Sequence, residues 1–402
     1  MHYPELHHHF AEALPDMVAP VAPTHFPNAQ VSCLNEPLAS ALGLDSEWLR
    51  GDEGIAWMCG ATGGMATAYA GHQFGTFVPL LGDGRATLLG NRNGYEIQLK
   101  GSGRTPFSRP GSDGKGPLTA MLREYLVSEY MHEIGIPTTR ALAVINTGER
   151  IMRNSGPVRA GIVVRVARSH LRVGSVQYAA TQSHELLEAV VHAAGFDAAE
   201  RLLEGVVDKQ LELVAQWMRY GFVHGVMNTD NTALSGETID YGPCAFTQAF
   251  EPHACFSSID RHGRYCFGAQ PNVIAWNLVR LAEALLPLMP ESSANNILAT
   301  IPERWEDAVV RWFGPEGLDA VVGTDDLAAY NREHGINRRP GPLYMPRNFA
   351  LQEALDAVEH DDDYAPFTAL LQAVTHPYDP GAGEPWMLEP EPEAAFTTFC
   401  GT

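Results

Sequence analysis

Basic residues are scarce in this chain: 27 Lys and Arg stand against 48 Asp and Glu, a formal net charge of −21 over 402 residues. So acidic a surface repels a polyphosphate backbone and an anionic bilayer. Neither nucleic acid nor membrane is therefore expected as a partner, and any anion site must be local. Apolar runs are short, none approaching the roughly 18 residues that a spanning helix requires. The opening Met1-His2-Tyr3-Pro4-Glu5 lacks the basic-then-apolar pattern of a secretory signal. The six cysteines (33, 59, 244, 255, 266 and 400) include no C-x-x-C pair, which argues against a zinc site or a disulfide scaffold. These absences lead to the expectation of a cytoplasmic protein with reduced thiols. A G-x-S-x-G elbow is also missing, so Ser-His-Asp hydrolysis has no support. His7, His8 and His9 are adjacent on an irregular stretch and cannot all face one ion. His253 has only Cys255 beside it. Neither reads as a metal site.

What is present is apolar bulk: 45% hydrophobic against 19% charged residues, enough for a sizeable core and more than one domain or lobe. Residues 1–60 are irregular and Pro-rich, with one short helical stretch near 37–43, and read as a segment wrapped on the body. Residues 61–175 form a β-rich part. There Arg85–Gly90 and Tyr95–Lys100 flank Asn91-Arg-Asn-Gly94, a hairpin pattern with an Asn-Gly turn. In its second strand Tyr95, Ile97 and Leu99 share one face, and Glu96, Gln98 and Lys100 the other. A helix is predicted over 119–133, ended by Gly135 and Pro137, with further strands at 141–146 and 161–166. Residues 176–375 are mainly helical, with amphipathic spacing over 184–194, 198–220 and 273–288 around a polar loop region at 221–250. Residues 376–402 are rich in Pro, Gly and Glu and favour an extended tail. Its last aromatics, Phe396 and Phe399, suggest that the end docks.

Four constellations could carry chemistry. Lys100 at a strand end and Glu124 on the next helix have the order of a phosphate-contacting lysine with its carboxylate partner; a surface ion pair is the plain alternative. Gly82-Asp-Gly84-Arg85 is a tight turn whose backbone N–H groups could cradle phosphate, or simply a hairpin turn. Arg165 and Arg172, with Arg168 as a third candidate, could converge on anionic oxygens. The most specific is His224-Gly-Val-Met-Asn-Thr-Asp230-Asn231 followed by Thr238-Ile-Asp240-Tyr-Gly242. Small-molecule kinases use H-G-D-x-x-x-x-N and then I-D-[FW]-G at similar spacing. The position of their catalytic Asp is Val226 here, which can neither accept a proton nor orient a hydroxyl. Asn231 and Asp240 remain as hard oxygen ligands for Mg²⁺, and Asp230 is a carboxylate that could act from a shifted position. An Asx turn at 230–231 is the alternative.

These blocks, in order, resemble the selenoprotein O (SelO, or YdiU) family of kinase-fold protein adenylyltransferases. The likeness runs through Gly71-His-Gln-Phe-Gly75, Gly82-Asp-Gly-Arg85, Ile97-Gln-Leu-Lys-Gly-Ser-Gly103, Thr105-Pro-Phe-Ser-Arg109 and Arg123-Glu-Tyr-Leu126. It continues through Gly135–Leu142, Ser169-His-Leu-Arg172, His224–Asn231, Thr238–Pro243 and Phe267-Gly-Ala-Gln-Pro271, with Arg347-Asn-Phe-Ala350 further on. The resemblance implies an α+β, protein-kinase-like two-lobed fold with a β-rich N-terminal lobe and a mainly helical C-terminal lobe. It also implies ATP bound in a flipped orientation, so that AMP passes to Ser, Thr or Tyr hydroxyls of substrate proteins and pyrophosphate leaves. Carried over by motif, Gly82, Gly84, Arg85, Lys100, Asp113, Gly114, Arg165 and Arg172 contact the nucleotide and Glu124 pairs with Lys100. Asp230 takes the proton, and Asn231 and Asp240 bind Mg²⁺ or Mn²⁺. The family's Asp-Gly-Arg-Ala-Val-Leu-Arg is altered here to Asp113-Gly-Lys-Gly-Pro-Leu-Thr119. A small-molecule kinase and a silent ATP-binding pseudokinase remain as alternatives. Cys400 falls at the family's redox position. A reversible Cys255–Cys400 disulfide is one expectation, two independent thiols the other.

Overall fold

Period-two alternation and one turn account for the centre of the structure, a computed structural model that describes residues 3–335, 340–392 and 394–399. Asn93 and Gly94 have φ of 49° and 81°, the paired left-handed residues that a two-residue hairpin turn requires. Numbered along the chain, the strands are β1 (Val18–Val21), β2 (Gln30–Leu34), β3 (Gly64–Thr67), β4 (Gly71–Gln73), β5 (Thr76–Val78), β6 (Ala86–Arg92), β7 (Tyr95–Lys100), β8 (Gly116–Pro117), β9 (Arg140–Arg153) and β10 (Gly156–Ala167). The main sheet runs β1-β3-β6-β7-β10-β9-β2, with β8 also on β10 and β4–β5 a separate hairpin. Its pairings are antiparallel. The strands expected at 141–146 and 161–166 are the buried first half of β9 and the buried second half of β10; the remaining halves are more exposed and mix polar with apolar residues.

Both faces of the sheet are covered, and the fold is α+β. On one face Ile97 and Leu99 pack with Leu142, Ile145, Ile162 and Val164 against Leu38, Leu42, Leu49 and Trp57. On the other, Val144 and Val163 meet Leu118, Leu122 and Leu126 of the helix Leu118–Glu133. Residues 1–60 therefore carry more regular structure than their prolines suggest. Helices Glu36–Ala41, Ser46–Arg50 and Asp52–Met58 lie on the sheet, and β1 and β2 close its two edges. Pro37 sits in the first turn of its helix, where a missing N–H costs nothing.

Beyond the sheet the chain is helical. Helices His184–Ala193, Ala199–Arg219 and Gln270–Leu285 match the periodicity. The helix Val173–Gln182 does not follow from it, because Gly174, Ser175 and Gln177 occupy buried positions there and dilute the apolar signal. Among the described residues no helix is long and apolar enough to cross a membrane. The tail docks through one of its two aromatics, Phe396, whereas Phe399 stays exposed. The Phe396 ring lies 5.1 Å from Phe349 and 6.4 Å from Phe256, and Thr398 N–H donates to Phe256 O at 2.8 Å. Cys400 lies outside the described residues. Cys255 is exposed as a residue, but partial desolvation of its thiol together with the neighbouring Asp260 pushes it up to about 11.

Candidate active site

A cavity of about 980 Å³ is lined by residues of the sheet, of the loop 104–115 and of the loop 226–240. Gly82, Gly84, Arg85, Lys100, Asp113, Arg165, Arg172, Asp230, Asn231 and Asp240 all line it; Gly114 and Glu124 do not. Gly114 is a close-approach position instead. A Cβ there would lie 2.2 Å from Gly103 O. Arg168 faces away, exposed, over the Tyr95 ring at 5.4 Å.

The sheet, the helix Leu118–Glu133 and the loop 226–240 bring four charges together, three in the cavity wall and Glu124 behind it. Lys100, at the end of β7, donates to Glu124 Oε2 at 2.5 Å. Glu124 Oε1 accepts from Arg165 of β10, Nε at 2.9 Å and Nη2 at 2.6 Å. Lys100 also donates to Asp240. Burial alone would raise both carboxyls, but Arg165 and Lys100 outweigh it at Glu124, and Lys100, Arg165 and Arg85 do so at Asp240. Both stay ionised well below the usual carboxylate range. Asp240 is held with φ of 68°, a left-handed conformation that costs a non-glycine residue energy and often marks a functional position.

The loop carrying Asp230 is buried and polar, so its shape depends on finding partners. Gln270 accepts from His224 N–H at 3.0 Å, and the imidazole Nε2 of His224 lies 2.9 Å from Ile239 O. Asn277 donates to Met227 O and Thr232 Oγ1, both at 3.0 Å. Asn231 donates to Val226 O at 3.0 Å, which leaves its Oδ1 as an oxygen ligand. The short turn Thr229–Asn231 sets Asp230 into the cavity wall. Its Oδ1 is buried without a hydrogen-bond partner among the described residues. Burial pushes the Asp230 carboxyl up to about 6, with Arg172 opposing and Asp240 adding to the rise. Asn231 and Asp240 give one cavity two hard oxygen donors. Such a set fits a small divalent ion that completes its shell with phosphate oxygens and water.

The glycine turn is built differently from the phosphate cradle that its sequence suggests. The N–H groups of Gly82, Asp83 and Gly84 are spent on Tyr69 O, Thr67 O and Gly82 O. Asp83 turns inward and accepts from Thr67 N, Thr67 Oγ1 and Gln98 Nε2 at 3.0, 2.7 and 3.2 Å. Sequence reasoning missed this residue, whose only signal is its place between two glycines. Gly82 has φ of 63°, and a Cβ there would lie 2.5 Å from the Phe107 ring. Gly82→Ala should therefore cost at least ~1–2 kcal/mol of stability and reshape this wall of the cavity, checked by a lower urea midpoint. Arg172 lies 4.4 Å over the Tyr69 ring and donates to Asp230 O at 3.0 Å. Asp113 is bound by Arg153 at 2.8 and 3.1 Å, and that guanidinium holds its carboxyl below the ordinary value. Tyr69 and Arg153, both lining the cavity, also escaped the sequence motifs.

Residues 4–316 match the family model described as "Protein adenylyltransferase SelO". The chain belongs to the SelO family. Among curated relatives, the "Protein nucleotidyltransferase YdiU" of Mycobacterium sp. (strain KMS) is 40% identical over 475 aligned residues, covering 98% of each chain. That of Corynebacterium efficiens is 41% identical, covering 98% of this chain and 95% of its own. That of Rhodopseudomonas palustris is 40% identical, covering 97% and 98%. An alignment of 475 positions exceeds the 402 residues here, so the Mycobacterium relative carries insertions that this SelO member lacks. The SelO match starts well before the first motif block at Gly71 and ends at residue 316, short of the block Arg347–Ala350.

Proposed function

We propose that this SelO-family member transfers AMP from ATP to Ser, Thr or Tyr hydroxyls of proteins, in a protein-kinase-like fold divided at about residues 60, 175 and 375. The 61–175 part would form the N-terminal lobe, 176–375 the C-terminal lobe, and 1–60 and 376–402 segments laid on them. In this reading ATP enters reversed, with its α-phosphate toward Asp230. The observation that carries it is Asp230 itself: a buried carboxylate with one unpartnered oxygen, while the neighbouring position 226 is a valine.

Asp230 orients the acceptor hydroxyl and takes its proton as the hydroxyl oxygen bonds to the α-phosphorus. The α–β bridging bond breaks and pyrophosphate leaves. Lys100, Arg165 and Arg172 line the cavity and favour the negative charge that builds on the phosphoryl oxygens. Asn231 and Asp240 would hold the Mg²⁺ or Mn²⁺, which neutralises phosphate charge when bound. Val226 removes the base that a small-molecule kinase needs and so favours adenylyl over phosphoryl transfer.

ATP labelled at the α- or the γ-phosphate tests this. Label should enter protein from the α-position only, with pyrophosphate as co-product, and Asp240→Ala should abolish it. Incorporation from the γ-position alone would replace this reading with a kinase.

A further inference from the structure

A second cavity, of about 750 Å³, lies beside the first. Phe74 and Ile259 line both, so the two are neighbours across these side chains. The strip between them is tied to the Asp230 loop: Asn228 Oδ1 accepts from Phe74 N–H at 3.1 Å and from the Tyr265 hydroxyl at 2.5 Å. Phe74 is held with φ of 51°, an unusual conformation for an aromatic residue. That strained backbone sets its ring against Tyr265 at 5.1 Å while 39% of the residue stays exposed at the mouth.

The rest of this cavity has two characters. Val273 and Trp276, on the helix Gln270–Leu285, are apolar, whereas Arg261 and Arg264 are cationic. The Arg264 guanidinium lies 4.9 Å from the Trp276 ring, and its Nε is buried without a hydrogen-bond partner among the described residues. Asp260, the carboxylate of this lining, is occupied by the backbone N–H groups of Arg264 and Tyr265 at 2.9 and 2.7 Å. Glu283 is taken by Arg280 at 2.6 Å. Among the described residues no ion pair engages Arg261 or Arg264. Carboxylates outnumber basic groups 48 to 27 in this chain. Two neighbouring arginines without a carboxylate partner, in the cavity adjoining that of the candidate base, are therefore a local preference for an anionic ligand.

We propose that this cavity seats the acceptor: a substrate-protein segment that places an acidic side chain on Arg261 and Arg264 and an apolar one between Phe74 and Trp276. Its adjacent hydroxyl then reaches Asp230. The role of the hydroxyl rests on the adenylyl-transfer reading; the binding preference does not.

The test uses short fluorescent peptides in which Ser or Tyr is flanked by Leu and by either Glu or Lys, bound to the full chain without nucleotide and followed by anisotropy. Glu peptides should bind about tenfold tighter than Lys peptides. Arg261→Glu, at an exposed position, should erase or reverse that order, and Arg264→Gln should weaken Glu-peptide binding. ATP affinity, titrated separately, should stay as in the parent chain and so report an intact fold. In transfer assays the Arg261→Glu effect should fall on the peptide KM rather than on kcat. Equal binding of Glu and Lys peptides, or an Arg261→Glu chain with the parent preference, overturns the proposal. Inorganic phosphate displacing the Glu peptides as well as a free Glu peptide does would also overturn it, since the site would then be a small-anion site. Tight Glu-peptide binding without transfer of the α-label would leave the docking site standing and remove the adenylyl-transfer reading.

Discussion

Asp230→Asn should lower AMP transfer by about 10²–10⁴-fold, the range usual for loss of a positioned general base, while ATP still binds. The amide keeps the shape of the side chain but cannot take a proton. Position 226, where the H-G-D motif of small-molecule kinases has its Asp, is Val226 and offers no substitute. The same group sets the pH response. Burial raises the Asp230 carboxyl to about 6, and only its ionised form is a base, so kcat/KM should climb as pH rises through about 6 and then level. In Asp230→Asn that limb should vanish. A parent-chain profile without an acid limb, measured with α-labelled ATP and a protein acceptor, would remove Asp230 from the role given to it.

Glu124→Gln should destabilise the whole chain by about 3–5 kcal/mol, the usual consequence of removing one partner from a buried charge cluster. One carboxylate holds both Lys100 and Arg165, and without it two buried cations share Asp240 alone. The loss should be read as a lower urea midpoint, with transfer activity falling too because Lys100 and Arg165 lose their fixed positions. Its pH dependence has a definite sign. The folded-state pKa of Glu124 is depressed, so its contribution is fully present above the unfolded value of about 4.3. That contribution fades as pH falls below this toward the folded value. The parent chain should thus lose part of its advantage over Glu124→Gln in acid, and a gap that widened there would contradict the assignment.

Much of the site was legible because its parts are short and local. Val226 in place of Asp, with Asp230 and Asn231 following, needs no tertiary information to be noticed. The Tyr95–Lys100 strand declares through alternation which side chains can face the helix that carries Glu124. What escaped depends on chain segments far apart. Asp83 looks like a turn residue until Thr67 and Gln98 are seen to close on it, and that capture is also why the neighbouring N–H groups do not form a phosphate cradle. Arg165 and Arg168 are equivalent by residue type, yet Arg165 lies within β10 and lines the cavity, while Arg168, just past the strand's end, lies over Tyr95. Tyr69 gains its meaning only from Arg172 lying over its ring. In the N-terminal part the helix starting beside Pro37 was legible, whereas Ser46–Arg50 and Asp52–Met58 are too short for an apolar period to declare them.

One of the first strands of the chain must wait long for its partner as the chain is made. β1 takes its partner from 64–67, but β2 pairs with residues 143–146 of β9, which leave the ribosome more than a hundred residues later. Until then the segment around Gln30–Leu34 has no sheet to join. A growing chain must keep this stretch from pairing elsewhere, and loss of β9 by premature termination would strand it permanently. One short segment thus closes one edge of the sheet early and the opposite edge only after most of the strands have been made.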